Sequence, residues 1–363
     1  MDFSQWRWTI KVVIAPDSFK GSIRNFDCAQ ALAEGWLSIR PLDEVILKPM
    51  ADGGDGTLET IATSNPGALR MKLRGAAQSY WLLLEDGTAI VELASICGIT
   101  LLTKLDPMGA HTFALGEALK EAAVDSRVKR IIVAVGGSAS TDGGVGALMA
   151  LGAQFLNKNG EAIGRGGNKL AEIASIDFSQ MVKPPIGGVV CLVDVKNLML
   201  GPLGAAEVFS PQKGATPLQM LELELGLEHW REISETPDFE GAGAAGGTPF
   251  GLSLGWPIMI SSGAESIASL IGLVEVMRGA DLVITGEGRL DSQSFGGKVV
   301  GEIVRLAVDS NTKIAYCVGS TELSELANVI ALVDLAPSIK DAMEEPKKWL
   351  TTAAAKLARQ KEF

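Results

Sequence analysis

The chain has 363 residues, 47% of them hydrophobic and 21% charged, a balance that excludes a disordered protein and is long enough for two domains. Its formal net charge of −11 excludes a duplex-binding surface, which needs clustered Lys and Arg, but leaves room for an anion held locally by cations, backbone N–H groups and a metal. Cys28, Cys97, Cys191 and Cys317 form no Cys-x-x-Cys pair, so neither a zinc site nor a disulfide framework is expected.

Met1–Thr9 contains Trp6, Arg7 and Trp8 and no apolar run of signal-peptide length. Short β-branched runs closed by Gly, Pro or Asp predict strands at Lys11–Ala15, Val45–Lys48, Ile131–Val135, Val189–Val193, Leu282–Thr285, Ile314–Val318 and Ile330–Val333. Helical patterns fit Asp27–Ser38, Thr57–Thr63, Ala114–Ala123, Gly144–Leu151, Leu218–Glu235, Lys298–Val308 and Asp341–Lys361. Met71–Lys72, Trp81–Leu84 and Ile90–Leu93 read as antiparallel pieces, with Asp86–Gly87 as a hairpin turn. Glu240 to Glu265 encloses no charged residue, yet Gly241, Gly243, Gly246, Gly247, Gly251, Gly255, Pro249 and Pro257 argue against a membrane helix. The expected location is cytoplasmic, with neither membrane nor nucleic acid as partner.

This alternation predicts an α/β protein: a flavodoxin/Rossmann-like parallel-sheet domain from residues 1–66 and 275–363, and a mixed α/β domain, 67–274, inserted into it. The active-site cleft is expected between them.

Acidic, glycine-rich segments follow predicted strands: Asp17-Ser18-Phe19-Lys20-Gly21-Ser22, Asp52-Gly53-Gly54-Asp55-Gly56-Thr57 and Gly286-Glu287-Gly288-Arg289-Leu290-Asp291. In a parallel sheet such segments lie on the carboxyl edge, where open α/β folds bind ligands. The residue types suit phosphoryl transfer, which asks for a carboxylate-held Mg²⁺, cations, backbone donors and a base. Lys20 and Arg289 are the cations, Asp52 and Glu287 can be metal or water ligands, and Gly53-Gly54 leads into a helix whose N-terminus favours anions. Asp and Gly also make ordinary turns and caps, so each segment alone carries little and the set carries more.

Gly136-Gly137-Ser138-Ala139-Ser140-Thr141-Asp142-Gly143-Gly144 forms a second cradle between a strand and a helix, with Ser138 as donor and Asp142 as cap or ligand. Asp194, closing the Val189–Val193 strand, can be a metal ligand, a base or a turn residue. Lys213 supplies a further cation in a turn. No Gly-x-x-x-x-Gly-Lys-Ser/Thr occurs, and Gly241-Ala242-Gly243-Ala244-Ala245-Gly246 follows no strand, so neither a P-loop nor a dinucleotide-binding fingerprint is expected. With only His111 and His229, a histidine triad has little support.

Ala15-Pro16-Asp17-Ser18-Phe19-Lys20-Gly21-Ser22 and Pro49-Met50-Ala51-Asp52-Gly53-Gly54-Asp55-Gly56-Thr57 resemble the N-terminal signatures of the bacterial type I glycerate kinase family. Gly136-Gly137-Ser138 with Asp142-Gly143-Gly144, Phe209 with Pro211-Gln212-Lys213-Gly214-Ala215, Gly241–Gly247 and Ile284–Asp291 are similar to later family motifs in the same order. The chain differs from the family pattern at His111–Leu115, at Ser140-Thr141 and at Leu198. The resemblance implies a kinase, monomeric or homodimeric, that uses ATP and Mg²⁺ to phosphorylate D-glycerate to 2-phosphoglycerate by in-line transfer. The implied catalytic groups are Asp194, Asp52, Lys20 and Arg289. Gly53, Gly54, Gly136, Gly137, Ser138, Lys213, Gly286 and Glu287 would bind the nucleotide, Asp17, Ser18, Asp142 and Asp291 the substrate, and Asp52, Asp194 and Glu287 the metal. A glycerate or nucleotide sensor without catalysis, or a kinase for another small hydroxy acid, are the alternatives.

Overall fold

The computed structural model describes residues 9–74, 79–323 and 325–360; the Met1–Trp8 part of the N-terminal segment and the end of the last expected helix lie outside these residues. The chain divides into two compact units, Met1–Asp52 with Ala264–Phe363, and Gly53–Gly263.

In chain order the strands are β1 Lys11–Ile14, β2 Glu44–Leu47, β3 Leu69–Lys72, β4 Tyr80–Leu83, β5 Thr88–Glu92, β6 Arg130–Ala134, β7 Gln154–Leu156, β8 Ser175–Asp177, β9 Val189–Leu192, β10 Ile258–Ser261, β11 Leu282–Thr285, β12 Arg289–Leu290, β13 Lys313–Val318, β14 Ser320–Thr321 and β15 Val329–Ala331. The discontinuous unit carries a five-stranded sheet in the order β15-β13-β11-β1-β2, every pair parallel. Its apolar strand residues feed two cores. Val12, Ile14, Leu282 and Ile284 pack with Leu32, Trp36, Leu350 and Leu357 of helices Asn25–Leu37 and Pro346–Ala358. Tyr316, Val318 and Ala331 pack with Val300 of helix Val299–Ser310. Helices on separate cores of one parallel sheet make a doubly wound layer.

The chain leaves β1 toward β2 but leaves β11 toward β13 on the other side, so the strand order reverses between β1 and β11. Loops at such a switch point diverge and leave room beyond the strand ends. Asp17 follows β1 and Glu287 follows β11.

The second unit holds a six-stranded mixed sheet, β10-β9-β6-β5-β4-β3, parallel from β10 to β5 and antiparallel for β4 and β3. The Asp86–Gly87 turn joins β4 to β5 as expected: Gly87 has φ +87° and the Asp86 carboxylate accepts the Thr88 N–H at 2.8 Å. β5 then pairs parallel with β6, so the third of the expected antiparallel pieces carries both kinds of pairing.

One expectation changes. The expected helix Asp341–Lys361 is two helices, Ile339–Glu344 and Pro346–Ala358. Pro346 has no N–H to continue the first and disfavours helical backbone at Glu345, where φ is −119° and ψ 47°. The Gly- and Pro-rich stretch after Glu240 contains helix Thr248–Gly255, because Pro249 falls in the first turn where its missing N–H costs nothing. Many glycines there serve packing inside the protein rather than a ligand: a Cβ on Gly246 would lie 2.1 Å from the Ser140 carbonyl oxygen.

Candidate active site

On the carboxyl edge of the parallel sheet, β1 and β11 are tied past their ends: Thr285 Oγ1 donates to the Ala15 carbonyl at 2.8 Å and the Asp17 N–H to the Gly286 carbonyl at 2.9 Å. The Met50 N–H donates to the Pro16 carbonyl at 2.9 Å, which brings the segment after β2 alongside. Gly286 is needed because a Cβ there would sit 1.7 Å from the Cys317 carbonyl oxygen.

These ties gather Asp17, Asp52 and Glu287 into one electrostatic group. Burial, and next the Asp52 charge, push the Asp17 carboxyl up to about 7, against the pull of the Ser18 N–H and Lys20. Burial also raises Glu287, whose Oε1 is buried with no hydrogen-bond partner. Lys20, 84% exposed, stands 4.0 Å from Asp52. Arg289 is exposed and is held by Glu322 and, at 4.0 Å, by Asp291. Asp291 also caps the turn Ser292–Phe295, accepting the Gln293 N–H at 2.8 Å. Ser18 donates its N–H to Asp17 at 2.6 Å.

Three crowded carboxylates, with Asp17 and Glu287 raised and one Glu287 oxygen orphaned, fit a cation, which would remove their repulsion. Among the described residues no group of three His, Cys, Asp or Glu side chains is arranged to hold a metal alone.

In the second unit Gly53, Gly54 and Gly136 pack backbone on backbone, and Gly137 faces Ala94. The Gly136 N–H donates to the Gly53 carbonyl at 2.9 Å, and a Cβ on Gly136 would meet Gly54 Cα at 2.6 Å. Ser138 Oγ receives the Ser140 N–H at 3.1 Å. Asp194, beyond β9, accepts the Ser262 hydroxyl at 3.0 Å and the Gly263 N–H at 2.7 Å through Oδ1, which fixes the carboxylate's orientation.

The helix N-termini expected to attract anions are met by the protein's own carboxylates. Glu92, 2% exposed at the end of β5, accepts the Leu58 N–H of helix Thr57–Ser64 at 2.8 Å. Burial pushes Glu92 up to about 7, with the Leu58 N–H pulling against it. Asp142, 1% exposed, takes the Thr112 N–H and hydroxyl at 2.8 Å each, the Gly146 N–H at 3.2 Å and the Gly144 N–H at 3.3 Å. It closes the start of helix Val145–Leu151 and anchors the residue before helix Phe113–Val124. Lys213 is buried as well. Burial lowers its pKa to about 8, while Asp142 acts in the opposite sense.

Glu92, Thr112, Ser262, Gly263 and Glu322 were not singled out in the sequence. The end of a buried strand marks Glu92, in the way it marks Asp194; the others are reached only through long-range contacts.

No described helix is long and apolar enough to cross a membrane. The family model described as the glycerate kinase family matches residues 12–362. A glycerate kinase of Haemophilus influenzae is 38% identical over 326 residues, covering 85% of this chain and 86% of its own. A glycerate 2-kinase of Escherichia coli is 36% identical over 328 residues, covering 86% and 85%. A solved chain from Salmonella typhimurium LT2, assigned as a glycerate kinase 2, matches with a TM-score of 0.77 at 31% identity, covering 97% of this chain and 98% of its own.

Proposed function

The chain belongs to the glycerate kinase family and is a kinase, and from that premise we propose that it moves the γ-phosphoryl of ATP to the 2-hydroxyl of D-glycerate. The observation that carries this reading is the meeting of Asp17, Asp52 and Glu287 at the reversal between β1 and β11, with Lys20 and Arg289 on the same segments.

In the proposed reaction the hydroxyl oxygen of glycerate attacks the γ-phosphorus in line. Its proton passes to a carboxylate, the new O–P bond forms, and the bond to the β,γ-bridging oxygen breaks to release ADP. Asp194 is the proposed proton acceptor, since Ser262 and Gly263 hold its carboxylate in one orientation. Asp52 and Glu287 would hold Mg²⁺, which when bound supplies neutralising charge at the phosphoryl oxygens.

Lys20 and Arg289 offset charge on the phosphoryl group or the substrate carboxylate, and Asp17 with Ser18 orient the substrate. Gly53, Gly54 and Gly286 let the backbone approach the nucleotide closely, Gly137 and Ser138 donate hydrogen bonds to it, and Gly136, whose N–H is taken by the Gly53 carbonyl, holds that turn in place. Asp142 and Asp291 act by positioning, because their oxygens are engaged by protein donors. A cytoplasmic setting belongs to the same proposal and agrees with the free thiols of Cys28, Cys97, Cys191 and Cys317.

Phosphorus NMR of a reaction with ATP, Mg²⁺ and D-glycerate tests the proposal. It predicts 2-phosphoglycerate and ADP. Accumulation of 3-phosphoglycerate would overturn the regiochemistry, and absence of any phosphoglycerate would overturn the reaction.

A further inference from the structure

Lys213 ends the turn Pro211–Lys213, and its side chain runs inward to 2% exposure. Its ammonium donates to the Ser140 carbonyl oxygen and, at 3.4 Å, to Thr141 Oγ1. A buried ammonium is costly unless acceptors and an opposite charge surround it. Here they come from one loop: Ser140, Thr141 and the neighbouring Asp142.

The loop is also pressed on by backbone. A Cβ on Gly167 would lie 2.4 Å from the Thr141 carbonyl oxygen, and Gly246 makes the still closer approach to Ser140 already described. Ser138 is joined to it, its hydroxyl 3.0 Å from that of Ser140. The Ser140 N–H also donates to Ser138 Oγ at 3.1 Å, so the loop's shape passes into Ser138, while the Ile99 N–H holds the Gly137 carbonyl at 2.8 Å.

We propose that Lys213 is a positioning residue: its ammonium locks the Ser140–Thr141 backbone, and through it the Gly137 and Ser138 donors, without touching the nucleotide. This rests on the reading that Gly137 and Ser138 serve the transferred anion. An ammonium that meets the Ser140 carbonyl and the Thr141 hydroxyl and has almost no exposure is directed at the loop and not at a ligand. The ammonium meets a carbonyl dipole and a hydroxyl, and an apolar side chain of similar length leaves both without it, while Asp142 keeps its four donors.

The test is amide hydrogen exchange of ligand-free wild-type, Lys213→Met and Thr141→Val proteins, followed by kinetics. Peptides covering residues 136–142 are expected to exchange at least tenfold faster in Lys213→Met and by a smaller factor in Thr141→Val. In Lys213→Met, kcat is expected to fall at least tenfold with KM for ATP within about threefold. Unchanged exchange at residues 136–142 with a raised KM for ATP would overturn the proposal in favour of direct contact. Should Lys213→Met fail to fold, unchanged exchange in Thr141→Val would by itself overturn it. Exchange is read without substrate, so it stands apart from whether glycerate is the acceptor.

Discussion

The Leu58 N–H donates to Glu92 Oε2 at 2.8 Å, so helix Thr57–Ser64 directs its N-terminus at a buried carboxylate of its own unit. The Glu92 carboxyl is raised from its ordinary 4.5 to about 7, so the folded protein binds this proton more tightly than the unfolded chain. Its stability contribution is therefore full below pH 4.5 and is lost as pH rises through about 7. Glu92→Gln keeps an oxygen for Leu58 and removes the titration. The difference in unfolding free energy between Glu92→Gln and wild type should grow, in favour of the variant, by up to about 3 kcal/mol from pH 4.5 to pH 8. Guanidinium unfolding at those two pH values measures it; a difference independent of pH would contradict the buried-acid assignment.

Asp17 answers to Asp52. Removing that neighbouring charge by Asp52→Asn should lower the Asp17 pKa below about 7, but only partway to its ordinary value, because burial is the larger cause. Carbon-13 NMR titration of the Asp17 carboxyl reads this directly, and an unchanged pKa would mean that the two carboxylates do not interact.

Asp142 satisfies four donors inside the second unit. Asp142→Ala orphans them, and the expected loss is about 3–5 kcal/mol of stability. Asp142→Asn, which keeps one acceptor, should cost distinctly less. Thermal unfolding of the two variants checks the order; equal and small losses would remove the anchoring role.

Gly286→Ala places a methyl group on the Cys317 carbonyl oxygen, within 1.7 Å in the present backbone. The backbone must shift, and with it Glu287. The expected result is a destabilisation of about 2 kcal/mol or more together with weaker Mg²⁺-dependent activity. A variant as stable and active as wild type would show that this edge tolerates movement.

Much of this was legible in the sequence, for reasons that differ by residue. The run Leu282–Thr285 is apolar, β-branched and stopped by Gly286, and it forms β11 over the same residues. Asp17, Asp194 and Glu287 could be picked out because each carboxylate follows a strand. Strand β10, Ile258–Ser261, was missed because Pro257 before it and Ser262-Gly263 after it leave a short run that looks like loop. Missing it hid the groups that orient Asp194. The partners Thr112 for Asp142 and Glu322 for Arg289 lie about thirty residues away along the chain, beyond any local pattern. Glycine clusters were ambiguous for a physical reason. Removing a side chain admits a ligand or a neighbouring strand of backbone equally well, and at Gly246 the neighbour is the chain itself.

The central claim is ATP-dependent phosphorylation of D-glycerate that depends on Asp194. ADP release, measured with Mg²⁺ and ATP in the presence and absence of D-glycerate, tests it most directly when wild type is set beside Asp194→Asn. The account predicts glycerate-stimulated release by wild type and a loss of about 10²-fold or more in a folded Asp194→Asn protein. Release that ignores glycerate, or an Asp194→Asn enzyme as fast as wild type, would contradict it.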